Sequence, residues 1–266
     1  MRDAFKDPTL IMGMHGVLER HPWAGRVSAE FDLDEDVFSL AAKRAEAYGW
    51  SSARLGEAAE LEGARWAHND AGGDWTQDGG VREAGWLQVS VTEGPRGQRL
   101  PVLPVATVLG DALRRVGRFR LTGLHTLAPL HLALDATPAL IGAADWFALA
   151  DPDGAAELTM TVSGRESGLT GRTGQVREYA ERSADGRLTS VEALPAGQEL
   201  TAPDLPGLAL PLTGEVQTEG MRQLMAFRCR VREWSPDVAA WTTEILIDAL
   251  RATGTTDPVL LTVSTG

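Results

Sequence analysis

The clearest pattern of apolar and polar positions lies between residues 224 and 264. Residues 224–232 alternate with a period of two, which is typical of a half-buried strand because successive side chains leave opposite faces of the pleat. Ser235 is then a suitable helix N-cap, and Pro236 suits the first helical position, where its missing N–H costs nothing.

Apolar residues recur with helical spacing from residue 238, and Gly254 stands where a left-handed residue ends many helices. Residues 259–264 are rich in Val, Leu and Thr and too few for a helix, which favours a strand. The stretch therefore predicts strand, helix and strand, with the two strands neighbouring, parallel and joined by a right-handed crossover.

Two earlier segments, residues 27–91 and 119–162, also begin and end with alternating strands around helical patterns. We expect an α+β chain of antiparallel or mixed sheets with helices on one face. Two ferredoxin-like halves built from strand–helix–strand units are the first expectation, and a doubly wound α/β sheet is the second. The expected organisation is an irregular N-terminal segment (1–25), a first α+β unit (26–163) and a second one (164–266).

Five local predictions concern shorter segments. Residues 26–33 alternate and predict a strand, whereas residues 51–67 are rich in helix-forming residues and predict a helix. The polar residues of 69–80 predict a loop. Residues 176–191 predict a hairpin that turns at Asp185 and Gly186, and the prolines within 195–214 predict an extended connector.

The N-terminal segment combines irregular patterning with apolar side chains, which have little reason to be ordered in water. Such side chains favour packing on the protein's own body, on a second copy or on a protein partner. The interface candidates are Leu10, Ile11, Met12, Met14 and Trp23.

Composition narrows the class of protein. The 266 residues carry a formal charge of −12, which disfavours binding to nucleic acid or to an anionic membrane surface. Lysine occurs only as Lys6 and Lys43, an arginine bias typical of a bacterial high-GC genome. No apolar run of membrane-spanning length or convincing signal peptide is found, so we expect a soluble, cytoplasmic protein. The single cysteine, Cys229, excludes an intramolecular disulfide and is expected to be a buried, unreactive thiol.

Searches for motifs that bind cofactors or carry chemistry give negative results. Neither lysine follows a glycine-rich loop, and no dinucleotide-binding glycine pattern follows a strand. The chain also lacks a nucleophile elbow and the paired histidine or cysteine spacings of zinc sites. No cofactor is therefore predicted.

Two histidines are the catalytic candidates. His125 and His131 flank Pro129 in an apolar stretch, and on one continuous strand they would share a face and could bind a substrate or a metal. Pro129 is expected to interrupt that strand, which favours the alternative that both are structural histidines.

Two charged groups complete the candidates. Arg228, Arg230 and Arg232 form a cationic stripe that can bind a carboxylate or phosphate, or simply keep one sheet face soluble. Asp70, Asp74 and Asp78 crowd one loop and are weak calcium candidates. Their spacing fails the EF-hand pattern, so a solvated loop is favoured and no metal is predicted.

Two functional hypotheses follow. The first is a binding or assembly protein that acts through protein–protein contacts, which the absent catalytic motifs and the apolar N-terminal segment favour. The alternative is a cofactor-free or weakly cofactor-dependent enzyme of small-molecule metabolism on a ferredoxin-like scaffold. A small-molecule ligand is compatible with either hypothesis.

Overall fold

The structure is a computed structural model that describes residues 8–26, 36–52, 66–91, 99–165, 167–195, 205, 207–213 and 218–265. Nine strands form one sheet, and five α-helices lie in the described residues. In chain order the elements are β1 (Thr9–Arg20), α1 (Val37–Ala47), β2 (Ser51–Ser52), β3 (Trp66–Gly72), β4 (Arg82–Ser90), α2 (Val102–Val116), β5 (Gly117–Ala128), α3 (Thr137–Trp146), β6 (Ala156–Gly164), α4 (Thr173–Ser183), β7 (Thr189–Ala193), β8 (Arg222–Val231), α5 (Pro236–Ala252) and β9 (Val259–Thr265).

The sheet order is β2-β3-β4-β1-β5-β9-β6-β8-β7, and the pairs are antiparallel except for β2 with β3. Alternate residues of the central strands, such as Met12, Leu124 and Val263, enter one apolar core together with residues of α2 and α5. The intervening residues, such as His125 and Thr262, lie on the opposite face because side chains alternate along a strand. The expected α+β class with an antiparallel sheet is confirmed.

Two parts of the sheet share one order of elements. The elements β1-α1-β3-β4-α2-β5 give the sheet order β3-β4-β1-β5, and β6-α4-β7-β8-α5-β9 give the order β7-β8-β6-β9. Strands β5 and β9 pair antiparallel and join the two parts, while β2 extends one edge. One continuous sheet thus carries strands from both predicted units, 26–163 and 164–266.

The predicted strand, helix and strand of residues 224–264 are confirmed as β8, α5 and β9. The Ser235 hydroxyl accepts the Val238 N–H at 3.2 Å, and Gly254 has a φ of 88° just after the helix. The prediction that the two strands are neighbours was wrong, because β6 lies between them and is antiparallel to both. Strands β8 and β9 are therefore parallel without pairing.

The prediction that residues 1–25 are irregular was wrong for the described part, because Thr9–Arg20 is a long strand between β4 and β5. The strand was not predicted because Gly13 and Gly16 interrupt its apolar pattern in the sequence. In the sheet they allow close neighbours: a Cβ on Gly13 would lie 2.2 Å from His125 Cε1, and one on Gly16 would lie 2.1 Å from the Arg120 carbonyl oxygen.

Four further predictions differ from the structure or lie partly outside the described residues. The predicted hairpin 176–191 begins as α4, whose buried residues Val176, Ala180 and Ser183 are spaced by four and three, as on a helix. The predicted loop 69–80 begins within β3, and the ends of the predicted helix 51–67 belong to β2 and β3. Residues 27–33 and 53–65 lie outside the described residues.

Candidate functional site

Three side chains that could bind a metal ion converge on the face of the sheet opposite α2 and α5. Strand β1 lies between β4 and β5, so its neighbours come from both. Gly13 pairs with His125 of β5, and His15 pairs with Glu83 of β4. Because Gly13 has no side chain, the His125 ring and the Glu83 carboxylate occupy the space above it. The nitrogen and oxygen ligand atoms of His15, Glu83 and His125 all lie within 4.8 Å of one another.

The hydrogen bonds fix the tautomers of the two imidazoles. The Ala209 N–H donates to His15 Nδ1 at 3.1 Å, so that nitrogen carries a lone pair and Nε2 carries the proton. His15 Nε2–H then donates to His125 Nδ1 at 2.9 Å. His125 Nε2–H in turn donates to the Thr213 carbonyl oxygen at 3.2 Å. All four ring nitrogens are engaged, and both rings are neutral.

Glu83 is held beside this pair by Thr213. The Thr213 N–H donates to Glu83 Oε1 at 3.3 Å, and the Thr213 hydroxyl donates to Oε2 at 2.5 Å. Glu83 Oε1 lies 3.6 Å from His125 Nδ1. The Glu83 side chain is 14% exposed whereas that of His125 is fully buried, so the carboxylate is the part of the cluster nearest to solvent.

Burial dominates the electrostatics of the site. It lowers the pKa of His125 to about 4 and, together with the charge that His125 can carry, that of His15 to about 3. Burial raises the pKa of Glu83, although the two hydrogen bonds from Thr213 oppose that shift. At neutral pH both imidazoles therefore offer lone pairs rather than positive charge.

A short strap, residues 207–213, covers the cluster. The Gly207 carbonyl oxygen accepts a hydrogen bond from the Thr122 hydroxyl at 2.8 Å, which anchors the strap on β5. Leu208 packs so closely over Gly123 that a Cβ there would lie 2.5 Å from it. Ala209 and Thr213 then supply the bonds to the histidines and to Glu83, so the strap completes the site.

The hydrogen-bonded pair does not form a path for moving protons. It ends at an amide N–H on Ala209 and at a carbonyl oxygen on Thr213, neither of which exchanges protons in ordinary acid–base chemistry. Two imidazoles and a carboxylate are, by contrast, a common donor set for divalent first-row metal ions.

Of the two histidines predicted from the sequence, the structure brings only His125 into this cluster. His131 is exposed on a 3-10 turn, Leu130–Leu132, that follows Pro129. The true partner, His15, was missed because β1 was not predicted. The only signal in the sequence was the alternation of Ile11, Gly13 and His15.

The three arginines predicted from the sequence, Arg228 and Arg230 of β8 and Arg232 just after it, are divided between two environments. Arg228 Nε lies 3.2 Å from a Glu157 carboxylate oxygen at the surface. Arg230 and Arg232 instead line a cleft of about 210 Å³, which neither His125 nor His131 lines.

The acidic residues of 70–78 have partners close by in the sequence. Asp74 and Asp78 pair with Arg82. Hydrogen bonds from Thr76 are the main cause that lowers the pKa of Asp74, and the hydrogen bond from Arg82 is the main cause that lowers the pKa of Asp78. Asp70 accepts the Ala71 N–H at 2.9 Å. Among the described residues these three carboxylates do not form a group that could hold a metal ion.

The predicted interface residues lie mostly inside the chain. Leu10, Ile11, Met12 and Met14 are buried in β1, so packing within the chain accounts for their order. Trp23 is 52% exposed and stacks on His21, with ring centroids 4.4 Å apart. Association of this segment with a partner stays a prediction.

Comparisons of the chain with protein-family models, with curated proteins and with solved structures find no match. None of the described helices combines the length and the apolar character that crossing a membrane requires.

Proposed function

We propose that this chain binds one divalent transition-metal ion through His15, Glu83 and His125, and that this centre serves an enzyme of small-molecule metabolism. The observation that carries the proposal is the convergence of the three side chains. The distance between His15 Nε2 and His125 Nδ1 is 2.9 Å, and that between His125 Nδ1 and Glu83 Oε1 is 3.6 Å. Ligands on bonds of about 2.1 Å lie ~3.0 Å apart at right angles and ~3.4 Å apart in a tetrahedron.

The contacts around the three side chains also support a metal site. His125 donates its remaining N–H to a carbonyl oxygen, and Glu83 accepts two hydrogen bonds from Thr213. Outer contacts of this kind orient metal ligands in proteins. Neutral imidazoles are the form that binds metals, and burial keeps both rings neutral.

Three protein ligands leave a coordination position free, which is typical of catalytic rather than structural sites. A metal ion in such a site polarises a substrate oxygen or lowers the pKa of bound water. Glu83 and His125 would fix the ion beneath the strap, and Thr213 would hold the carboxylate in place.

His15 imposes one condition on ion binding. A metal on Nε2 requires the proton to move to Nδ1, which now accepts the Ala209 N–H. Ion binding would therefore break that hydrogen bond and shift the strap at Ala209.

Metal analysis tests the proposal. Protein purified without chelator, and protein loaded with Zn²⁺ or Co²⁺, is expected to retain one ion per chain after gel filtration. Glu83→Gln and His15→Gln should each weaken ion binding by at least ~100-fold, whereas His131→Gln, on an exposed ring, should not. A folded wild-type chain that retains no ion, or variants that bind as well as wild type, would overturn the metal site.

Catalysis is tested separately by mass spectrometry of a metabolite pool incubated with protein. The metal-loaded wild type is expected to consume a compound that the chelator-treated protein and Glu83→Gln leave unchanged. An unchanged pool at every pH between 5 and 9 would contradict the enzymatic role while leaving the metal site intact.

We also infer that the two parts of the sheet are ferredoxin-like units. Each has the order β-α-β-β-α-β, and in each the first strand lies between the third and the fourth. The two units would then meet edge to edge at β5 and β9, with the candidate site in the first unit, on the face of the sheet opposite α2 and α5.

The assembly role remains a second candidate because of one surface feature. Ile141 and Trp146 of α3 are 39% and 68% exposed, and Leu149, in the 3-10 turn that follows the helix, is 84% exposed. Contiguous exposed apolar patches often mark protein contacts. Sedimentation of wild type beside a Trp146→Ser, Leu149→Ser double variant tests this role. An oligomer that the variant loses supports it, and a monomeric wild type at high concentration contradicts self-association.

A further inference from the structure

A second candidate site shares no lining residue with the cluster of His15, Glu83 and His125. A cleft of about 210 Å³ opens where β6 begins, where β8 ends and where α5 starts. Its lining residues come from α5, from the chain that follows α3, and from the turn before β7. Neither the metal-ligand candidates nor the strap contribute to it, so it is independent of the proposed metal centre.

The inner wall of the cleft is aromatic and apolar. Trp241 and Phe147 pack with ring centroids 4.8 Å apart, and Val231 and Val238 lie beside them. The Trp241 Nε1–H donates to the Leu140 carbonyl oxygen at 3.2 Å, so the indole presents carbon rather than a polar group to the cleft. This wall favours a flat apolar group over a hydrated one.

The rim of the cleft is cationic. Three arginines, Arg187, Arg230 and Arg232, line it together with one carboxylate, Glu233. The Arg187 Nε–H donates to the Ala144 carbonyl oxygen at 3.1 Å, which fixes the direction of its guanidinium. Among the described residues, Arg230 and Arg232 form no salt bridge, in contrast to Arg228 of β8.

The charge and the volume of the cleft together limit the class of ligand that it can bind. A rim of three arginines stands out in a chain of net charge −12 and attracts anions locally. Guanidinium groups bind carboxylates in paired hydrogen bonds. The volume is below the ~300 Å³ at which pockets for drug-sized ligands begin, so nucleotides are too large.

We propose that this cleft binds a small aromatic or alkyl carboxylate, with the apolar body against Trp241 and Phe147 and the carboxylate between Arg230 and Arg232. Phosphate matches the rim but leaves the aromatic wall bare. A neutral aromatic matches the wall but leaves the arginines without an anion.

Benzoate is a suitable probe, with benzyl alcohol and inorganic phosphate as comparisons. Each compound is titrated into the full chain, and binding is measured by calorimetry and through the NMR signal of the Trp241 indole. Benzoate is expected to bind at least ~10-fold more tightly than either comparison compound and to shift that signal, because only benzoate satisfies both the rim and the wall.

Variants locate the site. Arg230→Gln and Arg232→Gln should each weaken benzoate binding by at least ~10-fold, because each variant loses a charge-assisted hydrogen bond to the carboxylate. Arg228→Gln is the matched control, since that residue lies on β8 outside the cleft and pairs with Glu157. Equal losses in all three variants would indicate a general charge effect and overturn the site.

Three other outcomes also overturn the proposal: phosphate binding as tight as benzoate, benzyl alcohol binding as tight as benzoate, or an unmoved Trp241 signal. None of these results bears on the metal centre, whose ligands lie on β1, β4 and β5. The two proposals therefore fail separately.

Discussion

The amide N–H of Ala209 donates a hydrogen bond of 3.1 Å to Nδ1 of His15 and so selects one tautomer of that ring. The opposite tautomer is needed when Nε2 binds a metal. Metal binding at His15 is thus linked to the position of the strap through this contact.

The first prediction concerns this contact. Addition of one equivalent of Zn²⁺ to ¹⁵N-labelled protein should move the His15 Nδ1 resonance from the unprotonated to the protonated range. The Ala209 amide, having lost its acceptor, should exchange faster with solvent. His125 should keep its Nε2–H, because the Thr213 carbonyl oxygen remains its acceptor. A bound ion with an unprotonated His15 Nδ1 would contradict the proposed ligand set.

The second prediction concerns Gly13. In Gly13→Ala the new methyl group would lie 2.2 Å from His125 Cε1 and 2.6 Å from Glu83 Oε1, so both ligands must move. We expect a loss of ~1–3 kcal/mol in the free energy of unfolding. Ion affinity should fall by at least ~10-fold.

Gly142→Ala is the matched control, because nothing lies within 4 Å of the new methyl group. Gly142 is within α3, where alanine is favoured over glycine by roughly 0.5–1 kcal/mol. Denaturant unfolding and calorimetric titration measure both quantities. Equal changes in unfolding free energy and in ion affinity for the two variants would show that the space above Gly13 is not needed by His125 and Glu83.

Much of the second half of the chain could be predicted from local pattern. Ser235, Pro236 and Gly254 mark the ends of α5 because capping and left-handed backbone are properties of single residues. The position of β6 between β8 and β9 could not be predicted, because it depends on pairing between strands that are far apart in the sequence. Sequence periodicity carries no information about which strand is the neighbour.

The candidate site illustrates the same limit. His125 lies in a strand pattern and could be selected, but its partners come from positions 15 and 83. Their convergence depends on the order β4-β1-β5, and β1 was hidden because Gly13 and Gly16 resemble breaks. Ala209 and Thr213 lie in a proline-rich connector whose contacts leave no periodic trace.

The third prediction concerns the core beneath α5. Trp241 is 3% exposed and packs against Phe147, so Trp241→Ala should lower the free energy of unfolding by ~3–5 kcal/mol through cavity formation. Trp146→Ala is the control, since that side chain is 68% exposed and its loss should change stability by no more than ~0.5 kcal/mol. Denaturant unfolding measures both. A small loss of unfolding free energy in Trp241→Ala would show that the surrounding residues fill the cavity left by the indole.

The fourth prediction concerns Cys229. Burial, together with the Glu157 carboxylate, raises the pKa of the thiol to about 12, so the reactive thiolate is scarce at pH 8. A thiol reagent should label no cysteine in the native protein and one per chain after denaturation in guanidinium chloride. Rapid labelling of the native chain at pH 8 would contradict the buried position.

The last prediction concerns His68, whose Nε2 lies 3.0 Å from the Ser51 hydroxyl oxygen. Burial lowers the pKa of this ring to about 4 from its ordinary 6.5, so the unfolded chain binds more protons between those values. The stability that the neutral ring contributes is therefore complete above pH 6.5 and is lost as the pH falls towards 4. At ~1.4 kcal/mol per pKa unit the loss is about 3 kcal/mol.

Glutamine cannot be protonated in this range, so His68→Gln should lack this part of the pH dependence. Between pH 7 and pH 4 the wild type should lose about 3 kcal/mol more stability than His68→Gln in denaturant unfolding, and His131→Gln, on an exposed ring, should follow the wild type. Parallel stability curves for wild type and His68→Gln would mean that the buried ring accepts a proton without cost, because water or a local opening reaches it.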